Sequence, residues 1–319
     1  MVQMKLKKKI FFIPDLDNKS GLGHYYRCLK FSEFFRKKYK IFILLKKNLK
    51  NTNILLNAKN NNIIFFDDLK LTIKKFSNEG NFFFIDSYNS KKINLVNKLT
   101  KNSISTADKL VSLNTRYLID HTFLRNKKDH KKKNPKSIIY SNHLYFPFIS
   151  KKIKKKKKYI MINFGTYNSS KEILSVIDFI KRVKLDLKYK ILIINKKFRL
   201  NLLKNYNLKN INLISHTSKL DKYYSETIFC FGACGISLYE RSFYGIPSAC
   251  KPIAKNQIYN YQNFLRKKTI IDLNSMISDN EFTLIKFKNI CKKTKKKLKI
   301  YFSSKKQKKE INKLIEDIK

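Results

Sequence analysis

The stretch Ser20-Gly21-Leu22-Gly23-His24-Tyr25-Tyr26-Arg27 decides how the chain is read. Upstream lies the apolar run Ile10-Phe11-Phe12-Ile13, joined to it by a polar connector from Pro14 to Lys19. Downstream, Leu29, Phe31, Phe34 and Phe35 fall on the apolar side of a helix-like segment. Strand, glycine turn, helix is how α/β proteins bring backbone N–H groups and a helix N-terminus up to a phosphate. The spacing is Gly-x-Gly-His and lacks the third glycine of the dinucleotide fingerprint, so a nicotinamide cofactor is not expected. In its place stands a histidine in the first turn, with Arg27 three residues on along the same face.

Outward from that unit the pattern repeats. Ile10–Ile13, Ile41–Leu45, Ile63–Phe66 and Phe82–Ile85 are dense apolar runs, as expected of strands buried on both faces. Helix-like stretches separate or follow them at Tyr25–Lys38, Thr52–Asn60, Leu69–Ser77 and Ser90–Lys101. That rhythm predicts βαβ units on a parallel sheet. From Thr106 to Tyr140 the pattern is poorer, with short strands expected at Lys109–Leu113 and Tyr117–Ile119. Ser150–Lys158 carries seven lysines and reads as an exposed connection.

A second series opens at Tyr159–Phe164, followed by Gly165, a helix over Ser169–Val183, and strands at Ile191–Ile194, Ile211–Ile214 and Thr227–Phe231. The expected architecture is α/β: two Rossmann-like domains facing a cleft, residues 1–150 and 151–279, with a lysine-rich helical tail over 280–319. Ligands in such sheets bind beyond the carboxyl ends of the strands.

With 71 basic against 22 acidic residues the net charge is +49, which invites a nucleic-acid reading. Only eight of the basic residues are arginine, the side chain suited to bidentate phosphate or guanine contacts. Lysine, asparagine, isoleucine and phenylalanine are abundant together, the coding bias of an AT-rich genome. Nucleic acid is therefore not the expected partner, although a non-enzymatic RNA- or membrane-binding protein stays open as a rival. Cys28, Cys230, Cys234, Cys250 and Cys291 form no C-x-x-C pair, so reduced thiols and a cytoplasmic setting are expected. The apolar run after the basic start is too short for a signal peptide or membrane span, leaving peripheral membrane contact open.

The chain has only seven glycines, so their positions carry information. Gly21 and Gly23 form the opening loop, and Gly165 ends the first strand of the second series. Gly232 and Gly235 lie in Phe231-Gly232-Ala233-Cys234-Gly235-Ile236-Ser237-Leu238-Tyr239-Glu240-Arg241. A small-residue turn leading into a helix leaves outward N–H groups suited to a pyrophosphate. There Glu240 can accept bonds from a ribose diol, or Glu240 and Arg241 are simply a surface pair. Gly245-Ile246-Pro247 has the punctuation of a helix end. Asn256 and Gln257 open the next helix, as caps or as sugar contacts.

His24 sits at a helix N-terminus, where the dipole disfavours imidazolium and a neutral ring can act as general base. Asp15, just past the first strand, is placed to orient that imidazole or a water, and Arg27 to hold it or face a phosphate. Phe84-Ile85-Asp86-Ser87-Tyr88 puts an acid and a phenol at a strand end. His121, His130, His143 and His216 lie in no metal-binding spacing, and no nucleophile elbow or Walker loop is present. Neither metal nor cofactor is expected.

These residues resemble a known family, the UDP-2,4-diacetamido-2,4,6-trideoxy-β-L-altropyranose hydrolases of pseudaminic acid biosynthesis, relatives of the GT-B glycosyltransferases. The resemblance runs from about Ile10 to Ile271 in one order. It is carried by Asp15 with Gly21-Leu22-Gly23-His24 and Arg27-Cys28-Leu29, by Ile85-Asp86-Ser87-Tyr88, and by Asn163-Phe164-Gly165-Thr166. Gly232-Ala233-Cys234-Gly235 through Glu240, then Gly245-Ile246-Pro247 and Asn256-Gln257, complete it. The resemblance implies that His24 activates water, that Tyr88 and Asn256 contact the sugar, and that the loop from Gly232 through Cys234, Gly235, Ile236 and Ser237 to Glu240 holds UDP. The implied reaction is metal-independent, inverting hydrolysis of a UDP-activated amino sugar. A GT-B glycosyltransferase, using a sugar acceptor in place of water, is the alternative.

Overall fold

The computed structural model of the chain describes residues 8–16, 23–49, 62–77, 80–149, 157–165, 169–206, 210–214 and 220–318. The chain divides into two units, Met1–Pro147 with Lys305–Lys319, and Phe148–Ser304.

In the first unit the elements are β1 (Lys9–Pro14), α1 (Gly23–Phe35), β2 (Lys40–Lys46), β3 (Asn62–Phe66), α2 (Leu69–Phe76) and β4 (Phe82–Asp86). They continue as α3 (Ser90–Leu99), β5 (Ser103–Thr106), β6 (Tyr117–Asp120), α4 (Lys127–Lys133) and β7 (Ile138–Ser141). The strands pair in parallel in the order β3-β2-β1-β4-β5-β6-β7. Side chains alternate across a strand, and here both faces are covered. Ile10 and Phe12 join the core under α1, with Phe31, Phe35 and Phe84. Phe11 and Ile13 join the opposite core, with Ile73 of α2 and Ile93 and Val96 of α3. Phe11 stacks on Phe42, Phe76 and Phe83 with ring centroids 5.1, 4.8 and 5.2 Å away. Each fully buried ring contributes on the order of 2–3 kcal/mol, which is why β1 anchors the sheet.

The strand order reverses between β1 and β4, so the gap beyond their carboxyl ends is the natural ligand position of this unit. The expected strand at Lys109–Leu113 does not form; that role belongs to β5. Val111 and Leu113 pack on the core from irregular chain, and the Leu113 N–H bonds to Asn134 Oδ1 at 2.6 Å instead of a strand partner. The expected helix over Thr52–Asn60 lies outside the described residues, as does most of the lysine run Ser150–Lys158.

The second unit contains β8 (Tyr159–Asn163), α5 (Ser170–Arg182), β9 (Lys190–Ile194), β10 (Ile211–Ile214), α6 (Leu220–Glu226) and β11 (Thr227–Ala233). Then follow α7 (Ile236–Phe243), β12 (Ser248–Lys251), α8 (Ile258–Arg266), β13 (Ile271–Asp272), α9 (Leu273–Ser278) and α10 (Leu284–Tyr301). The parallel order β10-β9-β8-β11-β12-β13 reverses between β8 and β11. Ile160 and Ile162 face a core with α5, α9 and Phe287 of α10, while Tyr159 and Met161 face the other side. Gly245 has φ +66°; its N–H bonds to Ser242 O and that of Ile246 to Arg241 O, the paired bonds that close a helix in the left-handed conformation.

The lysine-loaded end is built into the fold. Helix α11 (Ser304–Asp317) belongs to the first unit, where Ile311, Leu314, Ile315 and Ile318 complete the core under α1. Buried tyrosines tie it down through their hydroxyls: Tyr39 to Ile318 O at 2.9 Å, Tyr140 to Asp317 Oδ2 at 3.0 Å, and Tyr145 to Glu310 Oε2 at 3.1 Å. Among the described residues no helix is long and apolar enough to cross a membrane. All five cysteines are free, and four of them are buried.

Candidate functional site

At the switch point of the first unit, α1 carries His24 and Arg27 to the end of β4. The His24 Nδ1 lies 2.6 Å from Asp86 Oδ1, and both side chains are buried. Arg27 forks over the same carboxylate, with Nε 2.5 Å from Oδ2 and one terminal nitrogen on Oδ1, where Thr106 also donates at 2.8 Å. Burial works against an ionised Asp86, but the Arg27 guanidinium and the bonds from it outweigh this, holding the carboxyl far below the usual range. An ionised carboxylate only accepts, so the proton of the short His24–Asp86 bond sits on Nδ1. With that proton on Nδ1, Nε2 is the atom of the ring that can take up another. A histidine oriented through Nδ1 by a buried acid is the working half of a general-base site.

Arg27 is in turn fixed from the end of β6. His121 Nε2 lies 3.3 Å from a terminal nitrogen of Arg27. Burial first, and then the arginine charge, push the His121 imidazole down to about 3, so it stays neutral and accepts that bond. Asp120, next to it, binds His130 Nε2 and the Thr122 N–H, each at 2.7 Å, which locks the loop after β6.

Asp15 stands elsewhere than expected. Its carboxylate accepts from Ser87 Oγ at 2.6 Å, from the Tyr88 N–H at 2.8 Å and from Lys92 Nζ at 2.8 Å; Asp86 takes the place beside the imidazole. Asp15 therefore shapes the turn that carries Tyr88. Burial raises its pKa, yet Lys92 and the hydrogen bonds bring it below the usual value of 3.8. A depressed carboxyl pKa contributes stability that is full above the unfolded value and lost as pH falls through the folded one. Lys92→Met is expected to remove that contribution, so the decline in Tm on acidifying below about pH 4 flattens relative to wild type, as thermal melts followed by circular dichroism would show.

The Tyr88 ring meets the His24 ring edge to face at 4.3 Å, and Lys109 Nζ lies 5.8 Å over it. Burial and then the Asp108 carboxylate raise the Tyr88 phenol above its ordinary value. With Ser87, Thr106 and Asp108 it lines a cavity of about 190 Å³. Gly23 begins α1, whereas Gly21 lies outside the described residues.

In the second unit the switch-point loop joins β11 to α7. Helices α2, α3, α4, α9 and α10 each have an Asp, Asn or Thr side chain capping the first turn. Helix α7 starts on Gly235 without a side-chain cap, leaving the first-turn N–H groups around Ile236 and Ser237 without one. An uncapped N-terminus beside a switch point is suited to a diphosphate. Gln257 braces the loop, its Oε1 accepting from the N–H groups of Cys234 and Ile253, both at 3.1 Å. Asn256 is exposed beside it. Glu240 accepts from Tyr224 OH at 3.1 Å. Gly165 turns the chain after β8 with φ +84°, its N–H on Asn163 Oδ1 at 3.0 Å.

Arg241, which the sequence pairs with Glu240 on a surface, is fully buried. It donates to Ala233 O at 2.8 Å and Ser237 Oγ at 3.1 Å, clamping the loop from behind. Burial works against an ionised Cys250, but the Cys234 thiol and Arg241 outweigh it and lower its pKa; Cys234, donating to Cys250, is pushed up. Gly232 is needed for close approach: a Cβ there would fall well inside contact of the Asn163 carbonyl on β8. Gly232→Ala is expected to cost about 3 kcal/mol, the upper range for overpacking. In melting experiments that corresponds to a Tm lower by about 6–12 °C.

No protein-family model matches the chain, and no curated protein matches it in sequence. Its fold does match solved structures. Phytolacca americana UGT2 complexed with UDP-2-fluoro-glucose and pterostilbene is 11% identical with a TM-score of 0.67, covering 98% of this chain and 100% of that one. The kitacinnamycin glycotransferase is 9% identical with a TM-score of 0.65, and Medicago truncatula UGT71G1 complexed with UDP-glucose is 14% identical at 0.63; each comparison covers 98% of both chains. The chain has the GT-B glycosyltransferase fold. The expectation of a UDP-sugar hydrolase in pseudaminic acid biosynthesis is corrected here, since these neighbours are glycosyltransferases and favour the alternative reading.

Proposed function

We propose that the protein is a GT-B glycosyltransferase that takes its sugar from a UDP-activated donor and passes it to a hydroxyl acceptor. The observation that carries this reading is the His24–Asp86 pair at the switch point of the first sheet. It supplies a buried, oriented imidazole whose Nε2 can take a proton from an acceptor hydroxyl. Neighbours of the same fold hold UDP-glucose and UDP-2-fluoro-glucose, which supports UDP as the leaving group.

In this reaction His24 Nε2 accepts the acceptor's proton while the acceptor oxygen attacks the anomeric carbon. The bond from that carbon to the diphosphate oxygen breaks, UDP leaves with the electron pair, and configuration inverts. Asp86 compensates the imidazolium as it forms and Arg27 keeps Asp86 ionised. In the second unit, the α7 N-terminus and the loop from Gly232 to Ser237 are assigned to the diphosphate, stabilising its growing charge. Glu240 is assigned to the ribose, and Tyr88 and Asn256 to the sugars. The free cysteines suit a cytoplasmic setting.

The test is to incubate the protein with UDP-glucose, UDP-L-rhamnose or UDP-N-acetylglucosamine and a pool of hydroxylated acceptors, and to weigh the acceptors by mass spectrometry. An acceptor heavier by one glycosyl unit is the expected result. Loss of donor with only free sugar appearing would refute transfer.

A further inference from the structure

We propose that the first unit carries a second binding site, for a small phosphorylated molecule, at the amino ends of β5, β6 and β7. A cavity of about 650 Å³ opens there, lined by Asn97, Ser103, Thr115, Arg116, Asn134 and Ser137 among others. That volume falls within the roughly 300–1,000 Å³ of small-molecule sites. It lies at the opposite pole from the dyad: β5 begins at Ser103 in the cavity wall and ends at Thr106, which bonds to Asp86. One strand length, roughly 10 Å, separates the two places.

The electrostatics select an anion. Lys101, Arg116, Lys133 and Lys136 line the cavity, and among the described residues no acid does. In a chain with 71 basic and 22 acidic residues, four unopposed cations alone mean little. Two further observations give the cavity its specificity.

The first is a built floor. Ser103, Thr115, Ser137 and Asn134 are buried. Ser137 Oγ donates to Thr115 O at 2.6 Å, and Thr115 Oγ1 lies 3.3 Å from Ser103 Oγ, tying together the starts of three strands. Asn134 accepts from the Leu113 N–H at 2.6 Å and donates to Val111 O at 2.8 Å, fixing the adjoining loop. The polar wall is therefore preorganised, which spares a ligand the ordering cost.

The second is Asn97, in the last turn of α3. Both its amide nitrogen and its amide oxygen are shut from solvent and have no hydrogen-bond partner among the described residues. Leaving a donor and an acceptor unpaired is costly, and substitution by an apolar residue would remove the cost. Asn97 also lines the cavity, and a turn of its side chain into it would bring the amide to a group that both donates and accepts, such as a sugar hydroxyl. Arg116, whose Nη1 donates to Asn102 Oδ1 at 3.0 Å, has further N–H groups in a planar set suited to phosphate oxygens. A phosphate ester of a polyol satisfies both.

Calorimetric titration of the full chain with glucose 6-phosphate, at 150 mM salt and with UDP present in excess, tests the assignment. Binding that persists with UDP present and weakens at least tenfold in the Arg116→Ala/Lys136→Ala double variant is expected. Asn97→Leu should raise the Tm of the free protein and weaken glucose 6-phosphate more than inorganic phosphate. The proposal is overturned if UDP abolishes the binding, if the double variant binds as wild type does, or if Lys292→Ala/Lys296→Ala on α10 weakens it equally. Absence of binding at millimolar ligand overturns it too. Since the readout is binding, it does not depend on the protein being a transferase.

Discussion

His24→Gln is expected to lower turnover by about 10²–10⁴-fold, the range for removing a positioned general base. Its effect on stability should be small by comparison. The variant loses one buried hydrogen bond to the Asp86 carboxylate, worth about 1.5–3 kcal/mol, while Arg27 continues to neutralise that carboxylate. A drop in Tm of about 3–12 °C would accompany the kinetic loss. The diagnostic pattern is therefore dissociation of the two readouts, measured as UDP released per enzyme and by thermal melting on the same preparation. Near-normal turnover would remove His24 from the mechanism, whatever its geometry.

Asp86→Asn should damage both. Among the described ion pairs Asp86 is the one acid on Arg27, and both side chains are buried. Replacing it leaves a guanidinium without its counter-charge in a site of low polarity, a change that typically costs about 3–5 kcal/mol. The imidazole loses its orienting acceptor at the same time, so turnover should fall at least as far as in His24→Gln. The pH dependence separates this from simple packing loss. Because the folded pKa of Asp86 lies far below its unfolded value of 3.8, its contribution is complete above that value and is lost as pH falls below it. The Tm difference between wild type and Asp86→Asn should shrink as the pH falls below about 4. A difference independent of pH down to 3 would show that Arg27 and Asp86 are not coupled by charge.

Much of the fold can be read from the residues because its signals are local. The run Ile10–Ile13 is apolar at every position, and both of its faces are covered in the sheet. Gly245 followed by Ile246-Pro247 marks a helix end, and φ +66° with the two closing bonds is the reason. The contacts that build the site are not local. His24 and Asp86 are 62 residues apart, so proximity in sequence points to Asp15, whereas β1–β4 pairing brings Asp86 to the imidazole. The position of Asp86 at the end of an apolar strand was the available signal. Arg241 follows Glu240 and reads as a surface pair; its burial depends on accepting carbonyls and hydroxyls from β11 and α7, which no pattern of charges displays. In α11 and the residue after it the apolar positions Ile311, Leu314, Ile315 and Ile318 do have helical spacing, but lysines between them make the segment resemble a solvated tail. Hydrolysis and transfer were inseparable from the motifs, because both need a nucleotide loop and a base.

The central claim is that His24, held by Asp86, takes a proton from an acceptor hydroxyl during transfer from a UDP-sugar. The most direct measurement is UDP release from a donor that supports glycosyl transfer, with and without acceptor, in wild type and His24→Gln. Release that requires acceptor in the wild type and disappears in the variant is the predicted result. Release at the same rate without acceptor, or transfer undiminished in His24→Gln, would contradict it.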